Sequence, residues 1–311
     1  MLDHLPILQV LVPLMAAPVA ALLRRKGAAW LLTVLATWTS LGIALRLLWR
    51  TSEIGTILYS MGGWAAPWGI EYRVVMVSSW VLVIVSGIGA VVTPYALGSV
   101  RREVGVKHAP LLYSALLLCF SGLLGITITG DVFNLFVFLE ISSISAYALI
   151  AMGPDRRALH AAYKYLIMGS IGATFIVIGI GMMYMMTGTL NMADLATRLP
   201  DVGGRTVTVA FAFLAVGISI KLALFPLHQW LPDAYTYAPS AVTVFLASTA
   251  TKVAVYVLLR VFFMVFGVGF AFETMTLRWV LLPLALIAVL SASLTAIYQG
   301  NIKRLLAYSS V

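Results

Sequence analysis

An all-α, polytopic membrane helix bundle of about nine transmembrane helices, the seventh broken by proline, is the fold this sequence predicts. Three observations lead there. Hydrophobic residues make up 62% of the 311 positions and charged residues only 10%, against about 25% charged in ordinary soluble chains. Mean hydropathy is +1.02. The apolar residues gather into runs of roughly 17–25, long enough to cross a hydrocarbon core. The net charge of +9 sits in short basic clusters between those runs, which suits a positive-inside topology better than nucleic-acid binding.

The predicted spans are 5–23, 28–49, 73–97, 110–129, 131–152, 160–187, 206–226, 240–266 and 277–298. The first has no Lys or Arg in its leader, Met1–His4, and the cluster Arg24–Arg25–Lys26 follows it. That order fits a retained span with its N-terminus outside, not a cleaved signal. Arg101, Arg102 and Lys107 follow the third span, Arg156 and Arg157 the fifth, and Lys303 and Arg304 the ninth. The alternate loops are longer and balanced: Arg73 against Glu53 and Glu71, Arg198 and Arg205 against Asp194 and Asp201, Arg278 against Glu273. The expectation is a multi-pass protein of the bacterial inner membrane with its N-terminus outside. Gly169, Gly172, Gly179 and Gly181, with Ser170 and Thr174, give span six a small-residue surface for close helix packing. In span seven Pro226 follows Lys221 closely, with Pro232 and Pro239 beyond. Proline removes a donor and clashes with the carbonyl four residues back. Carbonyls freed at membrane depth are tolerated only inside protein or along a wet cavity. The plainer reading of FPLHQWLPDAYTYAP is a tight interfacial loop anchored by Trp230.

Three charges lie inside apolar runs: Glu140, Lys221 and Lys252. Each costs roughly 2.5–3.5 kcal/mol at the bilayer centre even on a lenient scale, and such residues usually mark ion pathways. Helical spacing places Ser143 and Tyr147 on the face of Glu140. It places Ser248, Thr249 and Tyr256 on the face of Lys252, with Arg260 further along. Lys221 has Gly217, Leu214 and Phe225 around it and only loosened backbone for polar company. One acid and two bases suggest a route for protons or small cations; static ion pairs holding helices together are the alternative. Lys164, beside His160 near the inner end of span six, either snorkels to the surface or forms an inner mouth. Arg260 is expected to pair with a carboxylate. His228, Tyr256 and Lys303 complete the secondary candidates. No cofactor or metal is expected: the four histidines are scattered, Cys119 is alone, and CxxC and CxxCH are absent. HExxH, GxSxG and P-loop motifs are also absent, which disfavours a membrane enzyme. A solute carrier stays open.

The stretches GDVFNLFVFLEISSISAYALIA, AAYKYLIMGSIG, GISIKLALFPLHQWLPDAYTYAPS and QGNIKRLLAYSSV closely resemble the D-type subunit of Mrp multisubunit sodium/proton antiporters. That subunit belongs to the antiporter-like family that also supplies proton-pumping subunits of respiratory complex I. The resemblance runs from Tyr72 to the last residue, and the FNLFVF–E run is nearer the D-type branch. It implies a proton-transfer chain of Glu140, Lys221 and Lys252. It also implies other membrane subunits as partners, protons and monovalent cations as cargo, a lipid bilayer around the chain, and no nucleic acid. A proton-pumping subunit of an NADH:quinone oxidoreductase or membrane-bound hydrogenase is the second reading. Many relatives carry histidine after LPDA where this chain has Tyr235, which puts a protonatable role there in doubt.

The expected organisation is 1–71 as N-terminal helices and outer loop, 72–276 as a core containing a first five-helix repeat, and 277–311 as the opening of a second. A shift of 170 positions lays 111–136 on 281–306, and Leu111, Leu112, Ala115, Leu116, Ser121, Leu124, Gly130 and Leu135 coincide with identical residues. The chain therefore reads as the N-terminal part of a longer subunit.

Overall fold

The computed structural model describes residues 2–23 and 27–311. The cluster Arg24–Arg25–Lys26, one support for the expected orientation, lies outside the described residues. Helix α1 (Leu5–Leu22) starts with Pro6 in its first turn, where a missing N–H costs nothing. Helix α2 (Ala28–Ile54) ends at Gly55, whose φ of 78° suits glycine. The segment that follows, a loop by expectation, carries an antiparallel hairpin instead. Strand β1 (Ile57–Ser60) pairs with β2 (Glu71–Val74) in the register Ile57–Val74 to Ser60–Glu71. Helix α3 (Met76–Glu103) therefore begins three residues later than its predicted span, because 71–74 is committed to the hairpin.

Helices α4 (Ala109–Ile128), α5 (Val132–Ala151) and α6 (Arg157–Thr187) follow with short connections. Helix α7 (Met192–Val202) has no counterpart among the predicted spans. It is amphipathic, burying Met192, Leu195 and Leu199, and Asn191 caps it by accepting from the amides of Ala193 and Asp194. Helix α8 (Gly204–Leu222) stops before Pro226, with Ala223 turned left-handed at φ 58°. The chain turns back into the short α9 (Leu231–Tyr237), then α10 (Ser240–Leu259), which continues as a π-helical turn over Arg260–Val265. A second π-helical turn spans Phe270–Thr274, before α11 (Leu277–Ile297) and α12 (Ile302–Ser310).

Among the described residues nine helices are long and apolar enough to cross a membrane, one for each predicted span. The chain is a polytopic helical membrane bundle. Helix α4 is its centre: 78% of its most apolar stretch is buried, against 11% for α11. It packs on α1, α3, α5 and α10, while α6 lies along α8 and α5. Small residues bring α6 and α8 together as expected: a Cβ on Gly217 would stand 2.7 Å from the Gly172 carbonyl, and one on Gly179 would stand 2.9 Å from that of Ala210. One end of the bundle holds the hairpin, α7 and the α4–α5 turn, joined by bridges Tyr72–Thr129 and Asp131–Asn191. The opposite end holds α9 and α12, which pack together. There too Glu103, at the end of α3, accepts from the Ser240 amide at the start of α10 (2.8 Å).

Candidate functional site

Helix α5 carries Glu140 and, one turn on, Ser143; α8 carries Lys221 in its last turn. The close contact of α6 with α8 presents Lys221 to α5. Its ammonium donates to Glu140 Oε1 (3.0 Å) and to Ser143 Oγ (2.7 Å). Lys221 is only 7% exposed, and the Glu140 side chain is about one quarter exposed, at 25%. Local spacing offers Lys221 no polar side-chain company; the structure corrects this, because its partners come from another helix 78 and 81 residues away.

The two carbonyls that precede Lys221 are not left open. That of Ile220 accepts from the Ala223 amide (3.1 Å) and from Trp230 Nε1 (3.0 Å), and that of Ser219 accepts from the Leu224 amide (2.9 Å). Trp230 is thus no interfacial anchor. It is 2% exposed and stacks on Tyr165 with ring centroids 3.9 Å apart. Tyr165 meets Tyr147 edge-on at 4.6 Å, and Trp230 meets Tyr235 edge-on at 6.5 Å. Tyr147 points its hydroxyl at Gly169, where any Cβ would overlap it, and that hydroxyl has no hydrogen-bond partner among the described residues. Tyr235 donates to the Leu246 carbonyl of α10 (3.3 Å). Burial pushes its pKa well above the ordinary tyrosine value, with a hydrogen bond from Thr251 opposing.

Lys252 does not join the Glu140–Lys221 pair. It sits mid-way along α10, exposed, donating to the Ala247 carbonyl (2.6 Å) and meeting the Thr251 hydroxyl at 3.3 Å. Its predicted polar stripe is spent elsewhere. Ser248 and Thr249 donate to the carbonyls of Val244 and Phe245 on their own helix. Tyr256 donates across to the Thr127 carbonyl (3.3 Å). Arg260 pairs with no carboxylate among the described residues. It donates to the Thr129 carbonyl (2.7 Å) and lies 5.6 Å from the Tyr256 ring centre. Both residues thus engage the carbonyls at the C-terminal end of α4, where a cation is favoured.

Lys164 neither snorkels freely nor stands alone: it pairs with Asp233 Oδ2 (2.9 Å), and Arg304 approaches the other oxygen (3.5 Å). Lys303 donates to the Ala238 carbonyl (3.2 Å). His228 lies in the α8–α9 turn against Phe225, with Nδ1 unpartnered among the described residues. Burial lowers its pKa, the Pro226 carbonyl opposing. A cavity of about 430 Å³ opens here between His160, Lys164, Pro226, Gln229 and Trp230. Asp233, in the first turn of α9, and Glu103, at the last position of α3, escaped sequence reasoning, as carboxylates at helix ends carry no signal of their own.

The family model described as NADH:quinone oxidoreductase/Mrp antiporter, TM matches residues 129–311, which include Glu140, Lys221 and Lys252. Over its whole length the chain is 43% identical to the N subunit of the NADH-quinone oxidoreductase of Desulforudis audaxviator, covering 62% of that protein. It is 30% identical to the D-type subunit of the Na(+)/H(+) antiporter of Bacillus subtilis, again over its whole length and 62% of the relative. Among solved structures it is similar to a chain of the membrane-bound sulfane sulfur reductase, an archaeal respiratory membrane complex. The TM-score is 0.91 at 32% identity, covering 99% of this chain and 62% of that one. The chain thus spans 62% of the length of these relatives.

Proposed function

The chain belongs to the NADH:quinone oxidoreductase/Mrp antiporter membrane family, and from that premise we propose that it translocates protons as one component of a larger membrane assembly. The relay is Glu140, Lys221 and Lys252. The observation that carries this reading is the ammonium of Lys221, buried and held at 3.0 Å from Glu140. An adjacent carboxylate favours the charged lysine, and desolvation favours the neutral one. Protonating Glu140 removes the first influence and leaves the second, so a proton arriving at Glu140 drives one off Lys221. Ser143 keeps a hydrogen bond to the lysine in either state. The rings of Tyr147, Tyr165, Trp230 and Tyr235 pack in series between this pair and Thr251, the hydroxyl beside Lys252. They wall the route and do not themselves hand the proton on, because stacked rings share no hydrogen bond and an indole N–H only donates. With its pKa raised, the Tyr235 hydroxyl takes part only by reorienting, not by ionising. The cavity beside His160 and Lys164 supplies an aqueous entry.

Partners follow from what is uncovered. An ammonium in mid-span facing hydrocarbon is costly, so Lys252 and the exposed side of α11 call for further helices against them. Exchange for a monovalent cation such as Na+ is one means of driving the relay, by similarity to the antiporter relative. The redox-driven reading is favoured by the higher identity to the relative named for NADH–quinone oxidoreduction. Glu140→Gln keeps the shape and a hydrogen-bond acceptor but cannot carry the proton. In vesicles holding the complete assembly it should abolish proton flux, with normal membrane insertion. Full flux in that variant would remove Glu140 from the pathway. Flux that follows a sodium gradient supports exchange, and flux that requires an added electron donor supports the redox-driven reading.

A further inference from the structure

At the hairpin end of the bundle a separate cavity of about 220 Å³ lies between Arg73 on β2 and Arg260 in the π-helical turn after α10. Ala193 and Ala196 of α7 form a third wall, and Met192 and Met264 complete the lining. Arg260 is 3% exposed. It spends one donor on the Thr129 carbonyl, and its Nε is buried without a partner among the described residues. The Nε of Arg73 is likewise buried and, among the described residues, unpartnered. Neither guanidinium belongs to an ion pair among the described residues.

Two cations facing one cavity, neither of them in an ion pair among the described residues, form a costly arrangement even with the Glu71 carboxylate nearby. Desolvating a buried ion is costly, and without a partner that cost stays uncompensated. We propose that this cavity binds a phosphate-type oxyanion, clamped between Arg73 and Arg260. Guanidinium groups match such oxygens with paired, charge-assisted hydrogen bonds. The N-terminus of α7 adds nothing to the clamp: the amides of Met192, Ala193, Asp194 and Leu195 already donate to Gly130, to the Asn191 side chain twice, and to the Asn191 carbonyl. The arginines carry the site.

The surroundings favour the headgroup of an anionic phospholipid as the source. Met264 lies one turn beyond Arg260, and both it and Phe263 are exposed on the outside of a membrane-spanning helix. The cavity therefore opens beside surface that contacts acyl chains, at the end of the span, where headgroups lie. Free inorganic phosphate shares the same chemistry.

The test uses the purified full chain in neutral detergent. Retention of phosphatidylglycerol and phosphatidylcholine is measured by native mass spectrometry, with and without millimolar inorganic phosphate. Phosphatidylglycerol should be retained at least tenfold more strongly than phosphatidylcholine. Arg73→Gln, at a half-buried hairpin position, should erase that preference without altering the fold, and Arg73→Lys should restore part of it. Arg260→Gln should do the same but also unfold more readily, since it loses the bond to Thr129. Displacement of the lipid by phosphate would make the site a general oxyanion site, and resistance to phosphate would make the lipid its occupant; either supports the clamp. Equal retention of the two lipids, or unchanged preference in Arg73→Gln, would overturn it.

Discussion

Lys221 and Lys252 are alike in the sequence, each a lone base in an apolar run, and unlike in the structure. Lys221 has two side-chain acceptors from α5; Lys252 has its own helix. Lys221→Met should therefore lose flux and also lower the unfolding temperature of the purified chain. Breaking a buried pair typically costs about 3–5 kcal/mol, and the partial exposure of Glu140 puts the loss toward or below the lower figure. Lys252→Arg should leave the unfolding temperature unchanged. It should still slow turnover, because arginine does not release a proton. Equal, full flux in both variants would assign the lysines to structure alone. Tyr235→Phe removes only a hydroxyl, whose hydrogen bond contributes about 1 kcal/mol, so a large loss of flux with little loss of stability would place it in the relay. Unchanged flux would make it packing. The charges themselves were legible in the sequence because membrane spans tolerate so few. Their pairing was not: helical spacing reaches one turn, whereas Lys221 finds Glu140 across 81 positions. Trp230 misled for a related reason. The turn after Leu222 folds it inward, and local sequence holds no sign of which way a turn will fold.

At the scale of elements, apolar length and proline placement made every span visible, and the errors fall where a span adjoins other structure. Tyr72, Val74 and Val75 are apolar enough to merge with the span that follows, yet the preceding strand claims Glu71–Val74. Helix α7 was hidden because its single apolar face buries only Met192, Leu195 and Leu199. Helix starts show a pattern that apolar content hides. Asp131 opens α5 by accepting from the Asn134 amide (2.7 Å), and Asn301, 170 positions later, opens α12 by accepting from Lys303 and Arg304. The same spacing aligns the two apolar stretches before them. Burial raises the pKa of Asp131, with the Asn134 and Phe133 amides opposing. The sign follows: the folded state disfavours the carboxylate, so this residue's contribution to stability worsens as pH rises from the ordinary aspartate value through the raised folded one and is flat above it. Asparagine offers the same acceptor without charge. Asp131→Asn should unfold at or above the wild-type temperature at pH 7, its advantage shrinking in acid. Asp131→Ala should lose about 1 kcal/mol. A less stable Asp131→Asn at neutral pH would show that the charge itself is needed.

At the scale of the whole molecule, charge divides the bundle into two ends. Arg101, Arg102, Lys107, Arg156, Arg157, Lys303 and Arg304 cluster where α9 and α12 lie, with Glu103, Asp155 and Asp233 in partial balance. The hairpin end carries Arg73, Arg198, Arg205 and Arg278 among Glu53, Glu71, Asp194, Asp201 and Glu273. Lys and Arg in short loops set orientation, and acidic residues contribute little. The α9–α12 end should thus face the cytoplasm, putting the cavity beside Lys164 inside and the arginine cavity outside. Substituted cysteines on a Cys119→Ala background test this directly. Lys107→Cys and Arg156→Cys lie in exposed turns of the first end, and Asp201→Cys lies in an exposed position at the other. In intact cells an impermeant maleimide should label Asp201→Cys and spare the other two until the membrane is opened. The reverse labelling would invert the molecule. The relay would then take protons from the outer side through the His160–Lys164 cavity, and the phosphate clamp would face the inner leaflet.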